Sequence, residues 1–176
     1  MDRKRFFLCF AAAGLACNRA PESYPPPSQR APVAPASAAL SPYIEMKDPR
    51  ADWYLLEDIA AGPEPGGWRW GFRRPRLRFF LARREKLEFQ MQFAIAGTTF
   101  AETGPVTIRV SVNGKRIGAF RYDSPGDKSL AAKVPPDVVK PGAPNEVVLE
   151  QDKLWISKSD GAALSFILVS AGFVEK

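Results

Sequence analysis

Alternation with a period of two is the feature that most restricts how this chain folds. Leu87, Phe89, Met91, Phe93 and Ile95 alternate with Glu88, Gln90 and Gln92. Val106, Ile108, Val110 and Val112 alternate with Thr107, Arg109 and Ser111, and Leu77, Phe79 and Leu81 stand beside Arg76 and Arg78. A period of two puts one set of side chains on each face of a strand, whereas a helix repeats every 3.6 residues. Each run therefore reads as a half-buried antiparallel strand. Further strands are expected at Trp68–Phe72, Leu130–Val134, Glu146–Glu150 and Ala163–Val174, with Trp68, Trp70 and Phe72 as a core stripe. No segment carries an amphipathic helical pattern, and Pro135–Val139 reads as one short helical turn. Many short strands punctuated by Gly and Pro make the fold class all-β, a sandwich or a barrel.

Asn113-Gly114 between two such runs is a hairpin signal, because both residues accept the positive φ of a type I′ turn. A two-residue turn sets Val110 opposite Ile117 and Ile108 opposite Ala119. Phe120 and Tyr122 then fall on the other face, which predicts a bulge or a second buried face. The run Ala163–Val169 is apolar on both sides. It suits a central strand, or one whose outer face meets the N-terminal segment.

Both cysteines, Cys9 and Cys17, precede the strand region, and the chain has no histidine. The strand region therefore forms no internal disulfide and stands on its core alone. Ser-His-Asp and Cys-His catalysis and zinc sites built on His or Cys are excluded. Carboxylate or lysine chemistry is left open.

The first residues have a different grammar. Arg3-Lys4-Arg5 precedes about ten apolar residues and then Gly14-Leu15-Ala16-Cys17, the tripartite pattern of an export signal. It resembles the lipobox of bacterial lipoproteins, in which the cysteine is diacylated and becomes the new N-terminus. Gly14 and Leu15 depart from the usual order of large then small residue, so cleavage near Ala16 or Ala20 and an uncleaved anchor stay open. The apolar run falls short of the roughly 20 residues that span a bilayer. Proline then dominates, with Pro25-Pro26-Pro27, Pro32, Pro35 and Pro42 among Ala and Ser. Proline lacks the ladder N–H, so this stretch reads as an extended, disordered spacer. The division is a signal over 1–17, a linker over 18–42 and a sandwich domain over 43–176. Formal charge is +6; removing the signal takes away three cations and one anion and leaves +4. That mild excess favours anionic lipid or glycan over nucleic acid outside the cytoplasm.

Val112-Asn113-Gly114-Lys115-Arg116-Ile117-Gly118 and, later, Lys140-Pro141-Gly142-Ala143-Pro144-Asn145-Glu146-Val147-Val148-Leu149 resemble two motifs of the galactose-binding-domain-like jelly roll. That fold includes many carbohydrate-binding modules and the sugar-binding domain of family-two glycoside hydrolases. Ala143 and Pro144 lengthen the second motif. The resemblance spans roughly Trp68 to Val174 and implies a jelly-roll β-sandwich; its Gly and Asn residues serve turns and name no ligand.

The candidate ligand residues are Trp155 with its polar neighbours Lys153, Lys158 and Asp160, since a flat indole stacks on the apolar face of a sugar ring. The other reading of Trp155 is a lid over one end of the sandwich. Arg73, Arg74, Arg76 and Arg78 form a candidate patch for an anionic partner; the alternative is a solvated face with Glu85 and Glu88 as counter-ions. Asp123–Asp127 reads as a turn, the alternative being a calcium loop of clustered oxygens. No catalytic set, metal or cofactor is assigned. The sequence thus describes an exported, lipid-anchored, non-catalytic binding protein of the cell envelope, tethered to the membrane, with glycan as the candidate ligand. The alternative is a structural or assembly lipoprotein that binds another envelope protein or an anionic surface. Replacing Cys17→Ser should release the protein from the membrane fraction or leave an unprocessed precursor; unchanged size and fractionation on gels would reject lipidation.

Overall fold

The computed structural model describes residues 40–176; Cys9, Cys17 and nearly all of the linker lie outside the described residues. Within them the chain forms β1 (Tyr43–Glu45), β2 (Leu55–Ile59), β3 (Arg69–Phe80), β4 (Leu87–Ile95), α1 (Gly97–Thr103), β5 (Val106–Val112), β6 (Lys115–Tyr122), β7 (Gly126–Lys133), β8 (Pro144–Gln151), β9 (Trp155–Ile156), β10 (Ala163–Leu164) and β11 (Ile167–Glu175). Short 3-10 turns occupy Ala51–Trp53 and Pro136–Val138. One layer runs β2-β3-β8-β5-β6 and the other β1-β11-β4-β7, all antiparallel. After β3 the chain crosses to the second layer for β4, returns for β5 and β6, crosses for β7, returns for β8 and crosses again for β11. That is a jelly-roll β-sandwich, as the alternation and the two turn motifs predict.

Strand β3 joins the layers. Its start pairs with β11, Arg69 to Leu168 and Trp70 to Ile167, while Arg76–Phe80 pair with β8. Between them Arg73-Arg74-Pro75 breaks the register with β2. Pro75 fits a corner because a bulge requires no ladder N–H of it. The two separate expected runs, Trp68–Phe72 and Leu77–Leu81, are thus one bent strand.

Inward residues of both layers make the core. Phe89, Met91, Phe93, Ile108 and Val110 are buried, Gln92 is exposed, and Gln90 and Arg109 are half-buried. Aromatic rings meet edge to face: Phe79 to Phe173 at 5.4 Å and Phe93 to Tyr122 at 5.1 Å across the layers, Phe89 to Phe173 at 5.5 Å within one layer, and Phe93 to Phe166 at 5.7 Å.

The β5–β6 hairpin turns on Asn113 (φ 48°) and Gly114 (φ 84°), as the I′ signal requires. The register then slips between Ser111 and Val110, so Val110 faces Gly118 and Ile108 faces Phe120. This corrects the pairing of Val110 with Ile117. The bulge is the one that the side-chain pattern demands, because it returns Phe120 and Tyr122 to the core side. Strand β11 lies between β1 and β4, a central position. The N-terminal segment pairs along its edge as β1. A Cβ on Gly172 would overlap the Pro42 carbonyl oxygen and the Tyr43 Cα, so only glycine admits this approach.

Two expectations fail. The residues buried at the start of β3 are Arg69 and Gly71, not the Trp68-Trp70-Phe72 stripe, which is only half-buried and lies outside the core. Arg69 tolerates burial because its Nη1 donates to Asp52 Oδ1 (2.8 Å), Ala61 O (2.9 Å) and Ala60 O (3.2 Å). Helix α1 escapes a periodicity reading because it is seven residues long and rich in Thr. Thr99 and Thr103 donate to the carbonyls of Ala96 and Thr99. The register makes a direct prediction: Phe93→Ala should cost about 3–5 kcal/mol and Gln92→Ala well under about 1 kcal/mol in urea unfolding. Equal midpoints for the two variants would contradict it.

Candidate functional site

The loops after β2, β4, β6 and β8 gather at one end of the sandwich. There Trp155 pairs with Leu164 and Ile156 with Ala163 in the β9–β10 hairpin, which packs against α1 and the start of β3. Trp155 is half-buried and Ile156 is exposed. The indole Nε1 of Trp155 is sealed from solvent with no acceptor among the described residues. An unsatisfied buried donor of this kind costs about 1–3 kcal/mol.

Of the polar neighbours of Trp155, Lys153 and Asp160 have structural bonds and Lys158 makes a loose surface ion pair. Lys153 Nζ donates to Thr103 O (3.0 Å) and Pro105 O (2.7 Å), closing the C-terminal end of α1 where carbonyls lack helical partners. Lys158 lies 3.6 Å from Glu102 on α1. Asp160 accepts from the Ala162 amide at 3.1 Å. The Ser157 hydroxyl and that amide hold its carboxyl below the usual range, so it stays charged while shaping the turn. Asp152 accepts from the Thr107 amide at 2.8 Å. The hairpin is therefore a braced platform that presents Trp155 and Ile156.

Tryptophan is set apart from the core throughout. None of the four indoles belongs to the buried cluster, and none is among the half-buried apolar groups packed on it. Trp53 is 52% exposed, and Trp68 and Trp70 meet edge to face at 5.8 Å. Because β10 packs on β3, the Trp68–Trp70 pair and the Trp155 hairpin belong to the same end of the domain.

The arginine face is largely neutralised. Arg76 bonds Glu146 through Nε (3.1 Å) and Nη2 (2.9 Å) and Glu57 through Nη1 (2.5 Å). Those carboxylates, Glu146 first, push its pKa upward. Arg74 pairs with Glu150 at 2.9 Å. Arg73 is exposed, with no ionic partner among the described residues. The counter-ions are thus Glu57, Glu146 and Glu150, which lie across the strands, not Glu85 and Glu88; Glu88 bonds Lys176 and Gln90. Arg78 alone on this face donates from Nε to a carbonyl, Trp53 O, at 2.7 Å.

Arg78 borders a groove of about 420 Å³ at the hairpin end of this face, together with Leu56, Asn113, Lys140, Pro144 and Glu146. The alternating pattern pointed to neither Leu56 nor Lys140, since both owe their place to strand pairing and turn geometry. A larger cleft of about 690 Å³ includes Leu40, Pro42, Phe80, Leu87 and Phe173 in its walls, where the described chain begins.

No protein-family model matches the sequence, and no curated protein matches it. Among solved structures the chain is similar to the carbohydrate-binding module CBM36 in complex with calcium and xylotriose, at 12% identity over 75% of this chain and 98% of that one, with a TM-score of 0.43. It is similar to CsCBM6-3 from Clostridium stercorarium in complex with cellobiose, at 14% identity over 78% of this chain and 95% of that one, with a TM-score of 0.41. It is also similar to an acetyl xylan esterase from the rumen bacterium Butyrivibrio proteoclasticus, at 13% identity over 76% of this chain, with a TM-score of 0.44; the chain spans 33% of that enzyme.

The bracing of the hairpin yields a prediction. Lys153→Met should cost about 1 kcal/mol, the scale of a charged group at a helix C-terminus, and should loosen the Trp155 environment. Chemical unfolding followed by near-ultraviolet circular dichroism reads both; an unchanged spectrum and midpoint would show that Lys153 does not hold the hairpin.

Proposed function

We propose that this protein is an exported, lipid-anchored, non-catalytic binding protein of the bacterial cell envelope whose sandwich takes a neutral glycan at the end bearing Trp155. The placement of the tryptophans carries this reading. Phenylalanine, tyrosine and aliphatic side chains fill the core, while Trp68, Trp70 and Trp155 remain partly accessible at one end. Apolar surface left accessible in one patch is a mark of a recognition surface. Flat indoles offer stacking area to the apolar faces of sugar rings.

The carboxylates nearest Trp155 serve structure. Asp152 and Asp160 bind backbone amides, and Glu102 faces Lys158. Glycoside hydrolysis needs two carboxyls facing each other across a substrate, one of them kept protonated by its surroundings; Asp160 is instead held ionised. Export and attachment at Cys17 rest on the basic tip, the apolar run and the lipobox-like cysteine. The pairing of Arg74 and Arg76 with glutamates leaves the anionic-surface alternative without those charges.

A neutral-glycan array followed by titration of the full chain tests the reading. Binding should depend little on salt, because stacking and neutral hydrogen bonds are not screened. Trp155→Ala should weaken it at least about tenfold, equivalent to about 1.4 kcal/mol. Undiminished binding by that variant would place the site elsewhere. Absence of binding to any glycan would favour the assembly role.

A further inference from the structure

We propose that the groove between Leu56 and Lys140 is a second site, distinct from the Trp155 end, that takes the carboxylate of an acidic sugar, a uronic acid unit of a polysaccharide. Three observations carry it. First, Arg78 is held in place without being neutralised. Arg69, Arg74 and Arg76 each hold a carboxylate and Arg73 lies outside this groove, whereas Arg78 borders it with its Nε fixed on Trp53 O and its two terminal nitrogens without a partner among the described residues. A guanidinium pinned at Nε presents its terminal N–H groups in a fixed fork, the geometry that receives a carboxylate. Second, Lys140 is positioned by its backbone. Asn145, fully buried, accepts from Lys140 N (2.8 Å) and donates to Lys140 O (2.9 Å), while the ammonium has no acceptor among the described residues. Third, Glu146 in the same groove does not quench these cations, because both its oxygens are engaged by Arg76. The groove is therefore net positive.

Leu56, 42% exposed, and Pro144 add apolar wall beside the Asn113-Gly114 turn. A uronic acid combines a carboxylate with an apolar ring face, and the volume lies in the range of small-ligand sites. A bare phosphate would use the cations and leave Leu56 and Pro144 uncovered.

The test is calorimetric titration of the full chain with oligomers of galacturonate, glucuronate and mannuronate, each against its neutral parent, and with glycerol phosphate. At least one uronate oligomer should bind at least about tenfold more tightly than its parent. Its affinity should fall as salt is raised, because the contacts are exposed charges. Arg78→Gln and Lys140→Gln should each remove about tenfold of that affinity, and Trp155→Ala should leave it intact. Equal affinity for acidic and neutral oligomers, no uronate binding, or full competition by glycerol phosphate would overturn the proposal. Should Arg78→Gln unfold the domain, Lys140→Gln decides, since its ammonium bonds to no described residue; unchanged uronate affinity in it is then a refutation.

Discussion

Edge-to-face contact between aromatic rings is the interaction on which this sandwich depends. Tyr54, Phe79, Phe173 and Phe89 form one connected set, and Phe166, Phe93 and Tyr122 form another. The pairs Phe79–Phe173 and Phe93–Tyr122 join one layer to the other. Such pairs add about 0.5–1.5 kcal/mol each beyond the area they bury. Both cysteines of the chain precede the domain, so covalent cross-links do not share this task. The seven rings also fill the space between the layers, which leaves the larger indoles outside it.

Sequence patterning reads well where a strand has one wet face and straight neighbours. The runs of β4 and β5 keep their apolar residues inward along their length, even where Glu88 is buried and Gln90 and Arg109 are half-buried, because burial of the apolar set decides which face is inward. At the start of β3 the same logic inverts. Arg69 counts as an outward residue until its three oxygen partners are known, and those come from Asp52, Ala60 and Ala61, brought in by a separate strand. Burial of a charge is a tertiary fact, and the tryptophans beside Arg69 take the outer face as its consequence. The candidate site shows the same divide. Trp155 stood out as an aromatic in a polar loop, but the carbonyls that hold Lys153 lie some fifty positions upstream in α1 and its exit. Lys140 stood out only as the start of a turn motif, not as a ligand residue.

The two turn motifs that suggest the fold turn out to be one physical unit. Asn113 donates to Val138 O and to Asn145 Oδ1, and accepts from the Glu146 amide. Asn145 in turn bonds the backbone of Lys140 and Ala143. The β5–β6 turn and the loop into β8 are thereby locked together through a satisfied pair of amides, Asn145 fully buried and Asn113 half-buried, which specifies their geometry. This explains why such asparagines mark an architecture more than a ligand.

The approach of Pro42 to Gly172 has a mechanical meaning. The Phe173 amide bonds Pro42 O, and the Met46 amide bonds Val169 O, so β1 is laced to β11 at both its ends. Pro42 sits beside the C-terminal half of β11, while Trp155 and its hairpin sit beyond the first residues of that strand, about 20 Å away at the rise of an extended chain. Tension entering at Pro42 and resisted at the far end therefore runs along the strand axes. The laced bonds then share the load together in shear instead of opening one after another, and the shortest strand of the sandwich becomes the joint through which the domain bears force.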